Sequence, residues 1–386
     1  MLIDRRAKAV LKKLNKNGIS AYIVGGAVRD FLLNKKPSDY DICYGAIPND
    51  IKRLFKNHKI YETGIKYGTL TLNYKGLFIE ITPFRTEQGY TDNRHPDKVK
   101  FVKNIEEDLS RRDFTINALA LNCKGEILDL FGGKEDLKKG VIKAVGKAEE
   151  RFVEDPLRIL RAYRFASRFG FEIEAETNTA IYMQKKGLKS LSKERLSNEL
   201  KLILSGENLK VCFNELIDTL SVLNIAKNLE NMRVLALVTA IEEELKFPLF
   251  VALCSLKKAL CLSNKEEKII DNLTTANLAK NIDVLELFLT KTSEEISYIL
   301  WYLEQENRLT EKDKKRCEFI LKHRLQKQIK SLKINGNDLM NLGYKNAEIT
   351  KAKGEISKQI LLGNLKNNRK NILKFLKNKG YHCETL

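Results

Sequence analysis

The sequence predicts an α+β fold class, with a small mixed sheet in the N-terminal part followed by a chain that is all helix. Three observations carry this reading. Up to about residue 145, short β-like runs alternate with helical stretches and glycine-bearing turns. From about Glu149 onward the glycines thin out and apolar residues recur at helical spacing, as in Leu157, Leu160, Ala166 and Phe169, and later Leu196, Leu200 and Ile203. Near Ser331 the composition turns basic, with 11 Lys and Arg against 4 acidic residues to the C-terminus, a balance of +7. The segments that follow are 1–145, 146–205, 206–330 and 331–386, with no solenoid-type repeat and no low-complexity linker.

At 386 residues and 43% hydrophobic content, the chain is long enough for about two to four domains with real cores. The 69 Lys and Arg against 50 Asp and Glu leave a formal charge of +19. That balance favours a polyanionic partner such as nucleic acid over an acidic small molecule alone, with a Lys-rich compositional bias as the competing account. Seven cysteines (43, 123, 212, 254, 261, 317, 383) form no CxxC pair, so neither a zinc site nor a disulfide framework is indicated. They read as buried or incidental thiols in a reducing compartment. The start, MLIDRRAKAVLKKL, is amphipathic and charged, without a signal-peptide core, and no later segment reaches the length of a membrane span. No membrane association is expected, no protein partner is indicated, and the expected location is the cytoplasm.

The β-like runs are Ala21 to Val24, Asp39 to Tyr44, Thr69 to Tyr74 and Leu77 to Thr82. The first runs into Gly25-Gly26-Ala27-Val28-Arg29-Asp30, a strand ending in two glycines and opening a helix. Paired glycines let backbone approach a phosphate, and the helix start offers free N–H groups to it. Asp39 and Asp41 are expected on one face of the next strand, about 7 Å apart at Cα, close enough to bridge a pair of divalent ions. In the last run Leu77, Ile79 and Ile81 are apolar and alternate with Glu80, so Glu80 leaves the core face. Three carboxylates on adjacent strands suit two Mg²⁺ ions in phosphoryl transfer, whereas a solvated strand face or turn caps would explain Asp39 and Asp41 in isolation.

GGxVRD coupled to DxD at this spacing resembles the first motif of the class II tRNA nucleotidyltransferase and poly(A) polymerase family, within the polymerase-β-like superfamily. The resemblance covers roughly residues 20 to 205 and, more loosely, the tail. It implies a nucleotidyltransferase head with a small mixed sheet, followed by helical neck, body and tail. It also implies that Gly26 and Arg29 contact the triphosphate, that Asp39 and Asp41 bind the metal, and that Glu80 is the third acidic residue.

Arg111-Arg112-Asp113-Phe114-Thr115-Ile116-Asn117-Ala118 is similar to the family's second motif, implicated in ribose and triphosphate recognition. Asp113 and Asn117, four apart, could read a 2′-hydroxyl, and Arg112 could grip phosphate; a helix cap with a solvated basic pair is the bland alternative. Asp129 to Leu137, with Gly132-Gly133, resembles the third motif, which links head and neck.

Glu154-Asp155-Pro156-Leu157-Arg158 opens the neck. Asp155 followed by proline reads as an N-cap with proline at the first helical position, and Arg161 and Arg164 continue a ridge from Arg158. An Asp beside an Arg offers one acceptor and one set of donors. Cytosine and adenine present an amine next to a ring-nitrogen acceptor, which matches; guanine and uracil present a carbonyl next to an N–H, which does not. Leaving buried groups unpaired can discriminate by about 10⁴. In the family this EDxxR motif is a protein template for the incoming base, which places that role on Asp155 and Arg158. By the same match, Arg161 and Arg164 look like triphosphate or base contacts, and Glu194-Arg195-Leu196 to Glu199-Leu200 resembles the final motif and braces the neck.

Arg85 to Asp97 is polar and rich in turn formers, a mobile loop in which His95 is expected to be an ordinary loop residue. Family members limited to adding CC typically lack such a loop. The resemblance therefore implies addition of C, C and A to a tRNA 3′ end from CTP and ATP, with Mg²⁺ and without a nucleic-acid template. An A-adding enzyme or a poly(A) polymerase shares every motif quoted, and a non-catalytic RNA-binding protein is disfavoured by the intact carboxylates. The tail is expected to hold tRNA through Lys366, Arg369, Lys370, Lys374 and Lys377, clustered in one helix near its end.

Overall fold

The computed structural model describes residues 3–88, 98–225, 230–278 and 283–378. These divide into two compact units, one through Leu262 and one from Ser263.

The first unit is built on a seven-stranded mixed sheet. Its strands are β1 (Ala21–Val24), β2 (Asp41–Tyr44), β3 (Lys59–Gly64), β4 (Thr69–Tyr74), β5 (Leu77–Pro83), β8 (Leu119–Leu121) and β9 (Ile127–Asp129), in the order β3-β4-β5-β2-β1-β8-β9. Only the β2–β5 pairing is parallel. Two further strands, β6 (Arg85–Gln88) and β7 (Lys98–Phe101), form a separate antiparallel ribbon. The first helix, α1 (Arg5–Lys16), starts at Asp4, whose carboxylate accepts from Arg6 N at 2.7 Å, and buries Ala7, Val10, Leu11 and Leu14 on one stripe. Short helices α2 (Gly26–Leu32), α3 (Pro48–Leu54), α4 (Ile105–Ser110) and α5 (Gly133–Lys139) connect the strands.

The helical part of this unit starts with α6 (Ala148–Glu154) and α7 (Leu157–Phe169), separated by Asp155-Pro156. Proline lacks the N–H that an α6 continuation would need and disfavours a helical residue before it, so the break falls at the expected place. Helices α8 (Ala175–Gln184), α9 (Lys193–Leu204), α10 (Phe213–Leu220), α11 (Asn231–Ala240) and α12 (Glu243–Cys254) follow, with α7 and α9 packed together. On α7 the residues Ile159, Leu160, Ala162, Tyr163, Phe165 and Ala166 are buried.

The second unit is all helix among its described residues: α13 (Asn264–Leu278), α14 (Val284–Thr290), α15 (Ser293–Gln305), α16 (Glu311–Lys322), α17 (Leu325–Lys330), α18 (Gly336–Met340), α19 (Asn346–Leu361) and α20 (Arg369–Asn378). Its core gathers Phe288, Ile320, Leu339, Ile356, Ile360 and Ile372. No helix among the described residues is long and apolar enough to cross a membrane.

Three expectations shift. The strand expected from Asp39 begins at Asp41, because its antiparallel partner β1 ends at Val24, opposite Asp41, and turns away at Gly25 with φ +68°. Asp39 therefore lies before the strand, its carboxylate accepting from Ser38 Oγ at 2.8 Å. Lys366 precedes the last helix, which holds Arg369, Lys370, Lys374 and Lys377. Most of the polar loop, His95 included, falls outside the described residues, as do His382 and Cys383.

Candidate functional site

Strand register does most of the positioning. Asp41 lies opposite Val24 of β1 on one side and Glu80 of β5 on the other, and Glu80 N donates to Tyr40 O at 3.0 Å. In-register neighbours share a face, so Asp41 and Glu80 project side by side. Both are exposed, yet Asp41 is crowded enough by protein for burial to push its carboxyl up to about 6, with the charges of Glu80 and Asp39 adding and Arg112 opposing. Among the described residues no three carboxylate, imidazole or thiol groups close into a ready-made metal cage.

Beside Asp41 the chain turns at Gly25, where a Cβ would stand 3.0 Å from Arg112 Nη1. Only glycine fits both that approach and that backbone conformation. Arg112 is pinned from behind: Nη2 meets Asp108 Oδ2 at 3.2 Å and Cys43 Sγ at 3.4 Å, and Nη1 donates to Asn117 O at 3.4 Å. Asp108 is fully buried and also takes Arg111 at 2.7 Å, and the two arginines hold its carboxyl below the ordinary range against the cost of burial.

A second network runs from the sheet to α7. Arg29 is 5% exposed, bonded to Asp30 at 2.8 Å and donating to Asn117 Oδ1 at 2.6 Å. Asn117, in a 3₁₀ turn (Thr115–Asn117), donates to Asp113 Oδ1 at 3.1 Å, and Asp113 Oδ2 accepts from Arg161 Nε at 2.7 Å. Burial opposes the Asp113 charge, but Arg161, Asn117 and Arg158 outweigh it and keep the carboxyl well below the usual range. Arg164 reaches Glu199 on α9 at 3.2 Å; burial and the neighbouring Arg161 lower it to about 10. Phe165 lies under Arg29, Arg161 and Arg164, with the closest, Arg164 Cζ, 4.8 Å from the ring centroid.

At the start of α7, Asp155 Oδ1 accepts from Leu157 N at 3.1 Å, the expected cap. Its charge partner is Arg195 of α9, whose Nη2 meets both carboxylate oxygens at 3.0 and 2.9 Å. Arg158, 9% exposed, pairs with Glu154 at 2.8 Å and donates to Arg111 O at 3.0 Å.

Residues 21–143 match the family of the Poly A polymerase head domain, and residues 170–230 match the probable RNA and SrmB-binding site of polymerase A. Both matched regions are thus similar to the tRNA nucleotidyltransferase and poly(A) polymerase family that the sequence motifs resemble. A CCA-adding enzyme of Lactobacillus delbrueckii subsp. bulgaricus is 50% identical over 214 residues, 55% of this chain and 54% of its own. One from Lactobacillus johnsonii is 53% identical over 193 residues, 50% of this chain and 48% of its own. The chain thus spans about half the length of the curated relatives it matches. The crystal structure of Bacillus stearothermophilus CCA-adding enzyme in complex with CTP aligns with a TM-score of 0.68 over 97% of both chains at 28% identity.

Within the first unit, the structure draws Asp41, Glu80, Gly25, Gly26 and Arg112 together at the adjacent central strands β5, β2 and β1, and links Arg29, Asn117, Asp113 and Arg161 in one hydrogen-bonded network, with Arg164 one turn on from Arg161 and bonded to Glu199. Asp155 and Arg158 share the start of α7 but not a bond, each being held by a different partner. Lys366, Arg369, Lys370, Lys374 and Lys377 lie in the second unit, all exposed, with Arg369 paired to Asp338 at 2.8 Å. Sequence reading overlooked Asp108, Glu154 and Phe165. The first two stand three or four residues from the arginines they hold, a spacing open to inspection, and Phe165 sits between Arg161 and Arg168 on the helical ridge.

Proposed function

We propose that the protein is a tRNA nucleotidyltransferase that adds C, C and A to the tRNA 3′ end from CTP and ATP, releasing pyrophosphate. The observation that carries this is the placement of Asp41 and Glu80 side by side, next to the Gly25 turn and Arg112, with a hydrogen-bonded network running from Asn117 through Asp113 to Arg161, three residues along α7 from Arg158. The names of the relatives support CCA addition over the A-adding and poly(A) alternatives.

Asp39, Asp41 and Glu80 would hold divalent metal, with Mg²⁺ the expected ion. Hard carboxylate oxygens suit it, and the Asp41 carboxyl, raised first by burial and then by the charges of Glu80 and Asp39, would be relieved by a cation. When bound, such ions stabilise charge developing on the transferring phosphoryl group. Transfer forms a bond from the tRNA 3′-oxygen to the α-phosphorus and breaks the bond to the β-phosphate. Arg112, fixed by Asp108, brings positive charge to the Gly25 turn where the triphosphate would lie. Asp155 and Arg158 would read the base edge, with Arg195 and Glu154 holding each in orientation. Arg161 and Arg164 join that pocket to Asp113 and Glu199, and Arg29 and Asn117 complete the link to Gly26. The basic face of α20 would grip the tRNA backbone. Segments 1–145, 146–205, 206–330 and 331–386 then serve as catalytic head, base-selecting neck, body and tRNA-binding tail, in a cytoplasmic enzyme.

The test is incubation with tRNA ending before its CCA, each labelled nucleotide and Mg²⁺. Three added residues are the expected result. One added A, a long adenylate ladder, or no incorporation would each overturn the reading.

A further inference from the structure

Three cations converge on one ring at the far end of α7. Arg29 Cζ lies 4.8 Å from the centroid of Phe169, Arg168 Cζ 5.2 Å and Lys35 Nζ 5.6 Å. A ring face attracts each of them, but three like charges around one ring repel. Arg29 is buried and has its own carboxylate in Asp30. Lys35 and Arg168 are exposed, and among the described residues neither forms an ion pair. Behind burial, which dominates, the charge of Arg168 helps to lower the pKa of Arg29.

The contrast along α7 is informative. Arg161, Arg164 and Arg168 stand three and four residues apart on one ridge. Arg161 is neutralised by Asp113 and Arg164 by Glu199, both on the side of the nucleotide pocket. At the ridge's outer end Arg168 has no ion-pair partner among the described residues, and Lys35, just beyond α2, brings a second unpaired charge to the same ring. Two solvent-open cations on an aromatic platform suit an anion that passes over them, such as the backbone of a polymer. A mononucleotide triphosphate would sooner be gripped by the buried donors further in.

We propose that Lys35 and Arg168, mounted on Phe169, form a phosphate-contact site for the RNA backbone close to the reacting 3′ end. The proposal rests on the reading of the protein as an RNA nucleotidyltransferase. Each single-strand phosphate contact contributes about 0.7 to the slope of log affinity against log salt, so two contacts contribute about 1.4.

The test uses the full chain with Lys35→Gln, Arg168→Gln and the double variant, measuring binding of a single-stranded RNA carrying the tRNA 3′ sequence by fluorescence anisotropy across a salt series. Melting temperature serves as the folding control. The double variant is expected to flatten the salt slope by about 1.4, and to raise the RNA KM at least fivefold while the nucleotide KM holds. Both singles should show part of the effect. An unchanged slope would overturn the proposal, and a raised nucleotide KM with an unchanged RNA slope would reassign the site to the triphosphate. If wild type binds RNA but transfers no nucleotide, the functional reading fails separately while the slope still judges the site.

Discussion

Asp155→Ala separates base reading from architecture. The carboxylate caps Leu157 N at 3.1 Å, a contact worth about 1 kcal/mol, and holds Arg195 through two bonds of 3.0 and 2.9 Å. Breaking a fully buried pair costs about 3–5 kcal/mol; here the side chains are 17% and 19% exposed, so about 2–3 kcal/mol is the better figure. The total, about 3–4 kcal/mol, should lower the melting temperature of the first unit by about 6–12 °C. Arg195→Ala loses the pair but keeps the cap and the carboxylate, so it should melt about 1 kcal/mol higher than Asp155→Ala. The two single changes and the double change form a cycle with an expected coupling of about 2 kcal/mol. The decisive assay is the turnover rate with each of the four nucleotides on the same preparations. Asp155→Ala should flatten the preference for CTP and ATP over UTP and GTP, whereas Arg195→Ala should retain more of it. If both variants melt as expected and the Asp155→Ala ranking equals wild type, Asp155 is a structural anchor only and the reasoning is refuted.

Gly25→Ala would place a Cβ against Arg112 in a backbone region only glycine favours, and should cost about 1–3 kcal/mol by chemical denaturation; a loss under about 0.5 kcal/mol would mean the turn relaxes freely. Folding raises the Asp41 carboxyl from 3.8 to about 6, so its charge opposes folding and stability should fall as pH rises through that interval in metal-free buffer. Asp41→Asn should abolish transfer yet flatten this part of the stability profile and stabilise the fold by about 1 kcal/mol at pH 7, a figure discounted for exposure; a destabilised variant would contradict the crowding argument. Lys370, Lys374 and Lys377 share the exposed face of α20 opposite Ile372 and Leu376, and reversing all three to Glu should raise the KM for full-length tRNA and flatten its salt slope by about 2–3 while a short acceptor mimic is spared. An unchanged slope would make that face a solvated Lys surface.

Local periodicity made much of the fold legible. Ala21 to Val24 and Thr69 to Tyr74 are strands at those bounds, and the break before α7 follows from Pro156. Glu80 leaves the core face as its alternation with Ile79 and Ile81 requires. What escaped notice is what topology decides. Leu119 to Leu121 is wholly buried between β1 and β9, so it shows no polar alternation. Asp155 and Arg195 are 40 residues apart and meet because α7 packs on α9, which no spacing rule reports. Asp39 looked like part of a strand because its neighbours have strand character, but β1, the antiparallel partner on one side, ends at Val24 opposite Asp41.

The distribution of buried charge follows one logic. Each of the arginines at the Gly25 turn and on the inner part of α7 has an acid within 3.3 Å: Arg29 with Asp30, Arg112 with Asp108, Arg158 with Glu154, Arg161 with Asp113, Arg164 with Glu199. Without those acids, burying such cations would be prohibitive, and their pKa values would collapse. Asp41, by contrast, feels the charges of Glu80 and Asp39, with Arg112 opposing from behind Gly25. The carboxylates on β2 and β5 therefore carry a negative excess while the ridge beyond Arg164 carries a positive one. A ligand that combines phosphates with cations satisfies both ends together, and one that brings either alone leaves the other unbalanced. The Arg29–Asn117–Asp113–Arg161 relay fixes the spacing between those two ends.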